Sequence, residues 1–227
     1  MKTTVKAKGL QKYYQLGKVQ VEALKQVDME ILEGELVSII GPSGSGKTSL
    51  LNIIGLIDTP SGGNLYFEDQ KMVFSDFNDM APIRNEKIGY IFQNFNLIPV
   101  LNVYENIEIP FLIRKNISKK EKHERIETVI EQVGLSKYKN HKPDQLSGGQ
   151  RQRIAIARAI VHHPKLILAD EPTANLDSHT SQTIMELLMK LNADMKTTII
   201  FSTHDPLVMS YAKKILKIKD GVLTEDE

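Results

Sequence analysis

The stretch Leu36-Val-Ser-Ile-Ile-Gly-Pro-Ser-Gly-Ser-Gly-Lys-Thr48 decides the fold of this chain. Its first five residues, 36–40, are almost continuously apolar, which is typical of a strand that is covered on both faces. A glycine-rich segment follows, and residues 49–57 then show a helical pattern. This order of strand, glycine-rich loop and helix is the context that a phosphate-binding loop requires.

A loop of this composition is suited to binding an anion. Its glycines allow backbone N–H groups to turn inward around phosphate oxygens, and the helix that follows directs its positive end towards the same anion. Lys47 is placed to reach the β- and γ-phosphates of a nucleotide, and the Thr48 hydroxyl is a ligand for Mg²⁺. The residues that we expect to contact the nucleotide here are Gly41, Pro42, Ser43, Gly44, Ser45, Gly46, Lys47, Thr48 and Ser49.

Hydrophobic patterns on either side of this loop predict an α/β fold. Apolar runs that are typical of strands occur at residues 3–9, 27–31, 166–169, 198–202 and 215–218. Asp220-Gly221 has the composition of a hairpin turn.

The middle of the chain, from about residue 94 to 163, is instead rich in helical patterns. Ser118 stands three residues before Glu121, which is the spacing of a capping box, and Gly134 supplies a natural end to the helix that follows. A second helical pattern covers residues 148–162. We therefore expect a helical lobe that is inserted into the α/β core.

Composition excludes several classes of function. The 227 residues carry a net charge of +1, which gives no support for a nucleic-acid-binding groove, and the absence of cysteine excludes disulfides and thiolate metal sites. No apolar segment follows the first positive charges, so no secretory signal is expected. The apolar runs fall far short of the roughly 18 residues that span a bilayer. If the protein serves a membrane process, other chains must supply the membrane-spanning part.

A pair of carboxylates follows the apolar run at residues 166–169. We expect Asp170 to hold Mg²⁺, directly or through water, and Glu171 to orient the attacking water or accept its proton. An exposed acidic turn after a strand is common, so this pattern alone is a weak signal. The phosphate-binding loop needs a second Mg²⁺ ligand, however, and this segment offers one most clearly.

A second candidate phosphate site lies at Leu146-Ser-Gly-Gly-Gln150. A serine and two glycines at the start of a helix supply a hydroxyl, free N–H groups and a helix dipole. Two phosphate-binding helix ends in one chain are redundant unless the second completes the site of a neighbouring chain. An ordinary glycine-rich helix start is the alternative.

These three segments, in this order, resemble the ATP-binding cassette (ABC) ATPase family, and the resemblance covers essentially the whole chain. It implies a nucleotide-hydrolase core with a mainly parallel sheet, an antiparallel β subdomain and an inserted helical lobe. It also implies ATP and Mg²⁺ as cofactors. The chain would then be one ATPase domain, residues 1–227, with a core at about 1–93 and 164–227 and the helical lobe at about 94–163.

The resemblance assigns roles to further residues of the nucleotide site. Gln93 matches the family's glutamine loop, which contacts Mg²⁺ or the water and senses the membrane partner, so the metal ligands become Thr48, Gln93 and Asp170. His204 matches the histidine that contacts the γ-phosphate. Tyr14 matches the aromatic residue that stacks on adenine, although the adjacent Tyr13 is an alternative. The other histidines, His123, His141, His162, His163 and His179, are expected at the surface.

The same resemblance implies a dimer. Two copies would lie head to tail, so that each ATP is held by residues 41–48 of one chain and by Ser147, Gly148, Gly149 and Gln150 of the other. Asp177, which matches an aspartate that crosses the dimer interface, would also contribute to this trans site. Asp177 or Ser178 could in addition cap the helix that follows.

The segments 88–99 and 170–177 resemble the lipoprotein-release and macrolide-efflux branch of the family. That branch works with separate membrane permeases, which would place this chain in the cytoplasm, on the inner face of the membrane. A cell-division ATPase that signals through a membrane partner and a non-transport ABC ATPase are the alternatives. Phe95, Leu97 and Ile98 could line a groove for a permease helix or pack inside the helical lobe.

Overall fold

A computed structural model describes residues 2–74, 77–114 and 117–225. The strands within these ranges are β1 (Thr3–Leu16), β2 (Val19–Leu32), β3 (Leu36–Ile40), β4 (Gly62–Phe67), β5 (Gln70–Lys71), β6 (Ile88–Ile91), β7 (Leu166–Asp170), β8 (Thr198–Thr203), β9 (Lys214–Lys219) and β10 (Val222–Glu225). The helices are α1 (Lys47–Ile54), α2 (Phe77–Lys87), α3 (Val103–Glu108), α4 (Lys119–Gln132), α5 (Gly148–Ile160), α6 (Ser178–Met195) and α7 (Pro206–Met209). Short 3₁₀ turns lie at Ile109–Phe111, Ser136–Tyr138 and Pro143–Gln145.

The strands form two sheets. A six-stranded sheet has the order β10-β9-β3-β8-β7-β6, in which only the edge strand β10 is antiparallel to its neighbour. A four-stranded antiparallel sheet has the order β2-β1-β4-β5. The predicted α/β fold, with a mainly parallel sheet and an antiparallel β subdomain, is confirmed.

The parallel sheet is covered on both faces, which explains its continuous apolar strands. In β7, Leu166 and Leu168 pack with α1 and the antiparallel sheet, whereas Ile167 and Ala169 pack with α3 to α6. Successive side chains of a strand point to opposite faces, so one short strand contributes to two apolar layers. The carboxyl ends of β3, β7 and β8 then lie at one edge of the sheet, where polar side chains can meet.

The local predictions are confirmed with differences. β1 continues to Leu16 instead of ending at Gly9, because Gly9 adopts φ 57 at an irregularity in the β1–β2 register and pairing resumes beyond it. Ser118 caps α4 by accepting a hydrogen bond from the Glu121 N–H, but the Glu121 carboxylate pairs with Arg125 instead of completing a capping box.

The apolar residues after Gln93 differ in how far they are buried. Phe95 and Leu97 are partly buried against the helical core, and Arg158 donates hydrogen bonds to the Phe95 and Asn96 carbonyls. Ile98, by contrast, is exposed. Within the described ranges, none of the helices has the length and apolar character that crossing a bilayer requires.

Candidate active site

The glycine-rich loop between β3 and α1 has a backbone that only glycine permits. Gly46 adopts φ 111, and a Cβ at this position would lie 2.4 Å from the Ala23 carbonyl oxygen. It precedes α1 as the N-cap residue, and no side chain caps the helix. The first N–H groups of α1 are therefore available to an anion.

Two polar side chains of the loop are held without an anionic partner. The Lys47 ammonium is only 7% exposed and donates to the carbonyls of Gly41 and Pro42, at 2.8 and 2.9 Å. The Ser45 hydroxyl is buried and makes no hydrogen bond within the described residues. A buried ammonium is stabilised by a negative group, so these residues fit a phosphate.

This loop opens into a cavity of about 580 Å³. Residues far apart in sequence line it: Tyr14, Ala23, Ser43, Gly44, Gly46, Lys47, Thr48, Ser49, Gln93, Glu171 and His204. The structure therefore brings Gln93, Glu171 and His204 to one cavity with most of the phosphate loop. Gly41, Pro42, Ser45 and Asp170 were also predicted to contact the nucleotide or its Mg²⁺, but they do not line this cavity. Ala23 was not predicted, since a small apolar residue carries no chemical signal in the sequence.

Glu171 lies at the centre of the predicted catalytic group. Its Oε2 accepts a hydrogen bond from Gln93 Nε2 at 3.2 Å, and its Oε1 lies 3.2 Å from His204 Nδ1. The Glu171 backbone has φ 44, a strained conformation for a residue with a side chain. The carboxylate is thus fixed from both sides and faces the cavity that the phosphate loop lines.

Ser202, on β8, is a positioning residue that the sequence reasoning missed. Its buried hydroxyl donates to Asp170 Oδ1 at 2.6 Å and accepts from the Glu171 N–H at 2.9 Å. One side chain therefore orients both predicted carboxylate residues. The only signal in the sequence is a serine that follows the apolar residues 199–201. In the sheet, it lies beside Asp170.

The oxygen ligands that were predicted for Mg²⁺ fit a site completed by phosphate. Within residues 2–74, 77–114 and 117–225, no group of three or more His, Cys, Asp or Glu side chains could hold a metal alone. Mg²⁺ commonly takes one or two carboxylates together with phosphate oxygens and water. Thr48, Gln93 and Asp170 would supply a hydroxyl, an amide oxygen and a single carboxylate, which is a donor set that fits when the nucleotide and water provide the rest.

Tyr14, and not its neighbour, forms part of the cavity wall. Its hydroxyl donates to Asp58 Oδ2 at 2.8 Å. Tyr13 instead pairs with Glu22 across the β1–β2 hairpin, and the hydrogen bond with that carboxylate raises the pKa of the Tyr13 phenol. The arrangement favours Tyr14 for contact with a base.

The residues that were predicted to contact the ATP of a partner chain lie outside this cavity. Ser147, Gly149 and Gln150 line a different cavity of about 390 Å³, together with His179 and Thr180 from the start of α6. In the single chain the structure therefore does not bring Ser147 to the phosphate loop.

The starts of α5 and α6 are packed tightly together. A Cβ at Gly149 would lie 2.6 Å from Thr180 Cγ2, so any other residue there would have to displace the Thr180 side chain. Asp177, the N-cap of α6, accepts from the Thr180 N–H and hydroxyl, and these hydrogen bonds lower the pKa of its carboxyl. Of the two candidate caps, Asp177 is therefore the one that caps α6.

One histidine prediction is wrong. His162 is buried and not at the surface, and it lies 3.2 Å from the Ile88 carbonyl oxygen. Burial, with a smaller contribution from Arg114, lowers the pKa of His162 to about 4, so the ring is neutral at physiological pH. It lies at the end of α5, where the helix meets β6, and serves packing.

Comparison with known proteins identifies the family. Residues 24–174 match the family described as ABC transporter. The chain is 46% identical over 226 residues to the ABC transporter ATP-binding protein MJ0796 of Methanocaldococcus jannaschii, covering 98% of this chain and 96% of that protein. It is 40% identical over 220 residues to the macrolide export ATP-binding/permease protein MacB of Syntrophobacter fumaroxidans, covering 96% of this chain but 31% of that longer protein.

A solved structure agrees with these sequence matches. The structure of MJ0796 described as a dimeric, post-hydrolysis state bound to ADP and Pi has a TM-score of 0.90 to this chain at 45% identity, and the match covers 98% of each chain. With the cavity and its phosphate loop, these findings lead to one conclusion. This chain belongs to the ABC transporter family and is an ATP-binding cassette that hydrolyses ATP.

Proposed function

We propose that this cassette is the ATPase subunit of a transporter and works as a head-to-tail dimer that closes on ATP. The observation that carries the proposal is the separation of two phosphate-binding helix starts. Ser43, Gly44 and residues 46–48 line one cavity, and Ser147 and Gly149 line another. A twofold arrangement would bring the second helix start of each chain to the first cavity of its partner. The dimeric state described for MJ0796 supports this arrangement.

Within one site, we assign the work to residues from four elements. Lys47 and the N–H groups of α1 bind and orient the phosphates. Glu171 holds the attacking water and accepts its proton, while Gln93 and His204 fix the carboxylate at this position. Bound Mg²⁺, held by Thr48 and Asp170 with Gln93 nearby, would neutralise charge on the phosphates. Hydrolysis removes the anion that joins the two chains, so the dimer reopens.

We further propose that residues 94–163 act as a lobe that carries this motion to separate permease subunits. Exposed apolar side chains lie in this region, at Ile98, Val100, Leu112 and Ile113. Exposed apolar side chains mark a protein contact where they form one patch, and we propose that these four do so. The likeness to a macrolide export ATP-binding/permease protein supports export or mechanical work on partners outside the membrane, with the cassette on the cytoplasmic face.

The dimer is tested with the Glu171→Gln variant, which should bind ATP but hydrolyse it at least about 100-fold more slowly. Light scattering should give a monomer without nucleotide and a dimer with ATP. If the variant hydrolyses ATP at the normal rate, the role of Glu171 is wrong. If it binds ATP but stays a monomer even with its permease present, the composite site is wrong.

Permease contact is tested by co-purification with a candidate permease that is co-expressed with this chain. Val100→Asp places a charge at the most exposed of these four side chains and should abolish co-purification while ATP binding is retained. Val222→Asp makes the same change at an exposed valine on the edge strand β10 and is the matched control. Equal recovery of permease with both variants would contradict the proposed contact surface.

A further inference from the structure

A network of polar contacts surrounds Tyr14 outside the phosphate loop. The Tyr14 hydroxyl donates to Asp58 Oδ2 at 2.8 Å, and Asp58 Oδ1 accepts from Lys12 Nζ at 2.6 Å. The Thr59 N–H also donates to Asp58 Oδ1, at 2.7 Å, and Lys12 Nζ donates to the Thr59 carbonyl. Both carboxylate oxygens of Asp58 are therefore occupied, and the carboxylate cannot rotate without breaking several bonds.

Lys12 also contacts the ring of Tyr14. It is only 7% exposed, and its Nζ lies 4.8 Å from the Tyr14 ring centroid, within the range of a cation–π interaction. One face of the ring is thus covered by an ammonium group whose own position is fixed by Asp58. Tyr14 at the same time lines the nucleotide cavity, which leaves its remaining surface for a ligand.

The network reaches the phosphate loop as well. The hydroxyls of Tyr14 and Ser49 lie 3.3 Å apart, and Ser49 belongs to the first turn of α1 and lines the same cavity. Burial alone would raise the pKa of Asp58, but the hydrogen bonds from Lys12 and Tyr14 outweigh it and lower this pKa. The Asp58 carboxylate is therefore charged at neutral pH. Tyr14 is therefore tied at its hydroxyl to an anion and to the helix that would bind phosphate.

We propose that Asp58 and Lys12 are positioning residues that hold the Tyr14 ring as a preformed platform for the flat heteroaromatic base of the nucleotide. This inference rests on the proposed assignment of Tyr14 to the base. A ring that is already fixed loses little conformational entropy when the base stacks on it, so affinity is gained without a new contact. The effect must depend on the base and not on the phosphates.

The sharpest variant is Tyr14→Phe, which retains the ring and the Lys12–Asp58 ion pair and removes only the hydroxyl. Because part of the stacking energy is lost when the ring is free to move, we expect KM for ATP to rise about fivefold while kcat stays within about twofold. The inhibition constant of inorganic tripolyphosphate, which has no base, should not change. A general structural defect would raise both the KM for ATP and the inhibition constant of tripolyphosphate.

A double-mutant cycle with Asp58→Asn identifies the tether itself. If Tyr14 and Asp58 act through their shared hydrogen bond, the double variant should raise KM no more than the stronger single variant. Glu30→Gln is the control, because it weakens the ion pair of Lys6, another lysine on β1, at a distance from the cavity. Its KM for ATP should equal that of the unmodified protein.

Tyr14→Ala separates this inference from the assignment on which it rests. If Tyr14→Ala raises KM for ATP about tenfold or more, stacking on Tyr14 is supported. If Tyr14→Phe then behaves as the unmodified protein, or its effect adds to that of Asp58→Asn, the tether is overturned and the stacking assignment stands. If Tyr14→Ala itself leaves KM unchanged, both the assignment and the tether are wrong.

Discussion

The starts of α1 and α5 are both predicted to face phosphate, but they are built differently. α1 is preceded by Gly46, in a left-handed conformation, and no side chain caps it. α5 has a complete capping box, in which Ser147 Oγ accepts from the Gln150 N–H and Gln150 Oε1 accepts from the Ser147 N–H. The start of α1 leaves its backbone N–H groups available to a ligand. The start of α5 pairs some of its backbone N–H groups with side chains of the same helix start.

This difference fits the proposal that one chain carries two phosphate sites with separate tasks. An open helix start with a nearby ammonium is ready to bind an anion whenever the nucleotide arrives. A capped start is stable alone, and Ser147 can turn to a phosphate only when the approach of a second chain offsets the lost cap. We therefore expect variants at α1 to affect ATP binding and variants at α5 to affect only steps that need the dimer.

The largest expected effect is on binding, in the Lys47→Ala variant. Loss of several charge-assisted hydrogen bonds to phosphate should weaken ATP binding by at least about 100-fold, measured by equilibrium titration. Lys139→Ala removes a lysine from an ion pair with Glu127, far from the cavity, and should bind ATP normally. Normal ATP affinity in Lys47→Ala would mean that the open start of α1 is not the phosphate site.

Ser147→Arg should have nearly as large an effect, but on turnover alone. The bulky cation blocks the trans site, so hydrolysis should fall by about 100-fold while the monomer binds ATP with unchanged affinity. Ser118→Arg removes the equivalent N-cap serine of α4 and is the matched control for lost capping. If both variants hydrolyse ATP equally well, the start of α5 has no trans role and the two helix starts do not differ in function.

A smaller effect, on kcat, is expected at Ser202, which contacts Asp170 and the Glu171 N–H. Ser202→Ala leaves Asp170 and the Glu171 N–H without a hydrogen bond, so the carboxylates lose their fixed positions and kcat should fall about tenfold with little change in ATP affinity. Ser38, on the neighbouring strand β3, is equally buried, and its hydroxyl makes no hydrogen bond within the described ranges. Ser38→Ala should therefore retain the normal kcat, and equal kcat values for the two variants would remove Ser202 from the mechanism.

Features that depend on local sequence were predictable. The strand–loop–helix order around Gly46, the Ser118 cap of α4 and the hairpin at Asp220-Gly221 each depend on a few adjacent residues with strong backbone preferences. The hairpin residues have φ 50 and 80, as the turn requires. The α/β fold followed because apolar patterns report which faces of an element are covered.

Features that depend on side chains meeting across the fold were not predictable. Ser202 contacts Asp170 only because β7 and β8 are neighbours in register, and the tether of Tyr14 by Asp58 joins two elements that are distant in the chain. His162 was expected at the surface because a histidine after a helical pattern gives no sign that a strand covers it. The sequence indicated which chemistry each residue can perform. It did not show which residues would be in contact, because contacts depend on how the strands and helices are arranged.

The smallest effect that separates the two helix starts is on stability, in the Gln150→Ala variant. The side-chain bond to the Ser147 N–H is lost while the Ser147 cap remains, so unfolding should become easier by about 0.5–1 kcal/mol, with a melting temperature about 1–4 °C lower. Gln182→Ala, on the exposed face of α6, loses only a hydrogen bond to Glu186 and should melt within about 1 °C of the unmodified protein. The start of α1 offers no matching variant, because its N-cap residue is Gly46, which has no side chain to remove. Equal melting temperatures for the two glutamine variants would show that the Gln150 side of the capping box contributes nothing measurable to the stability of the free chain.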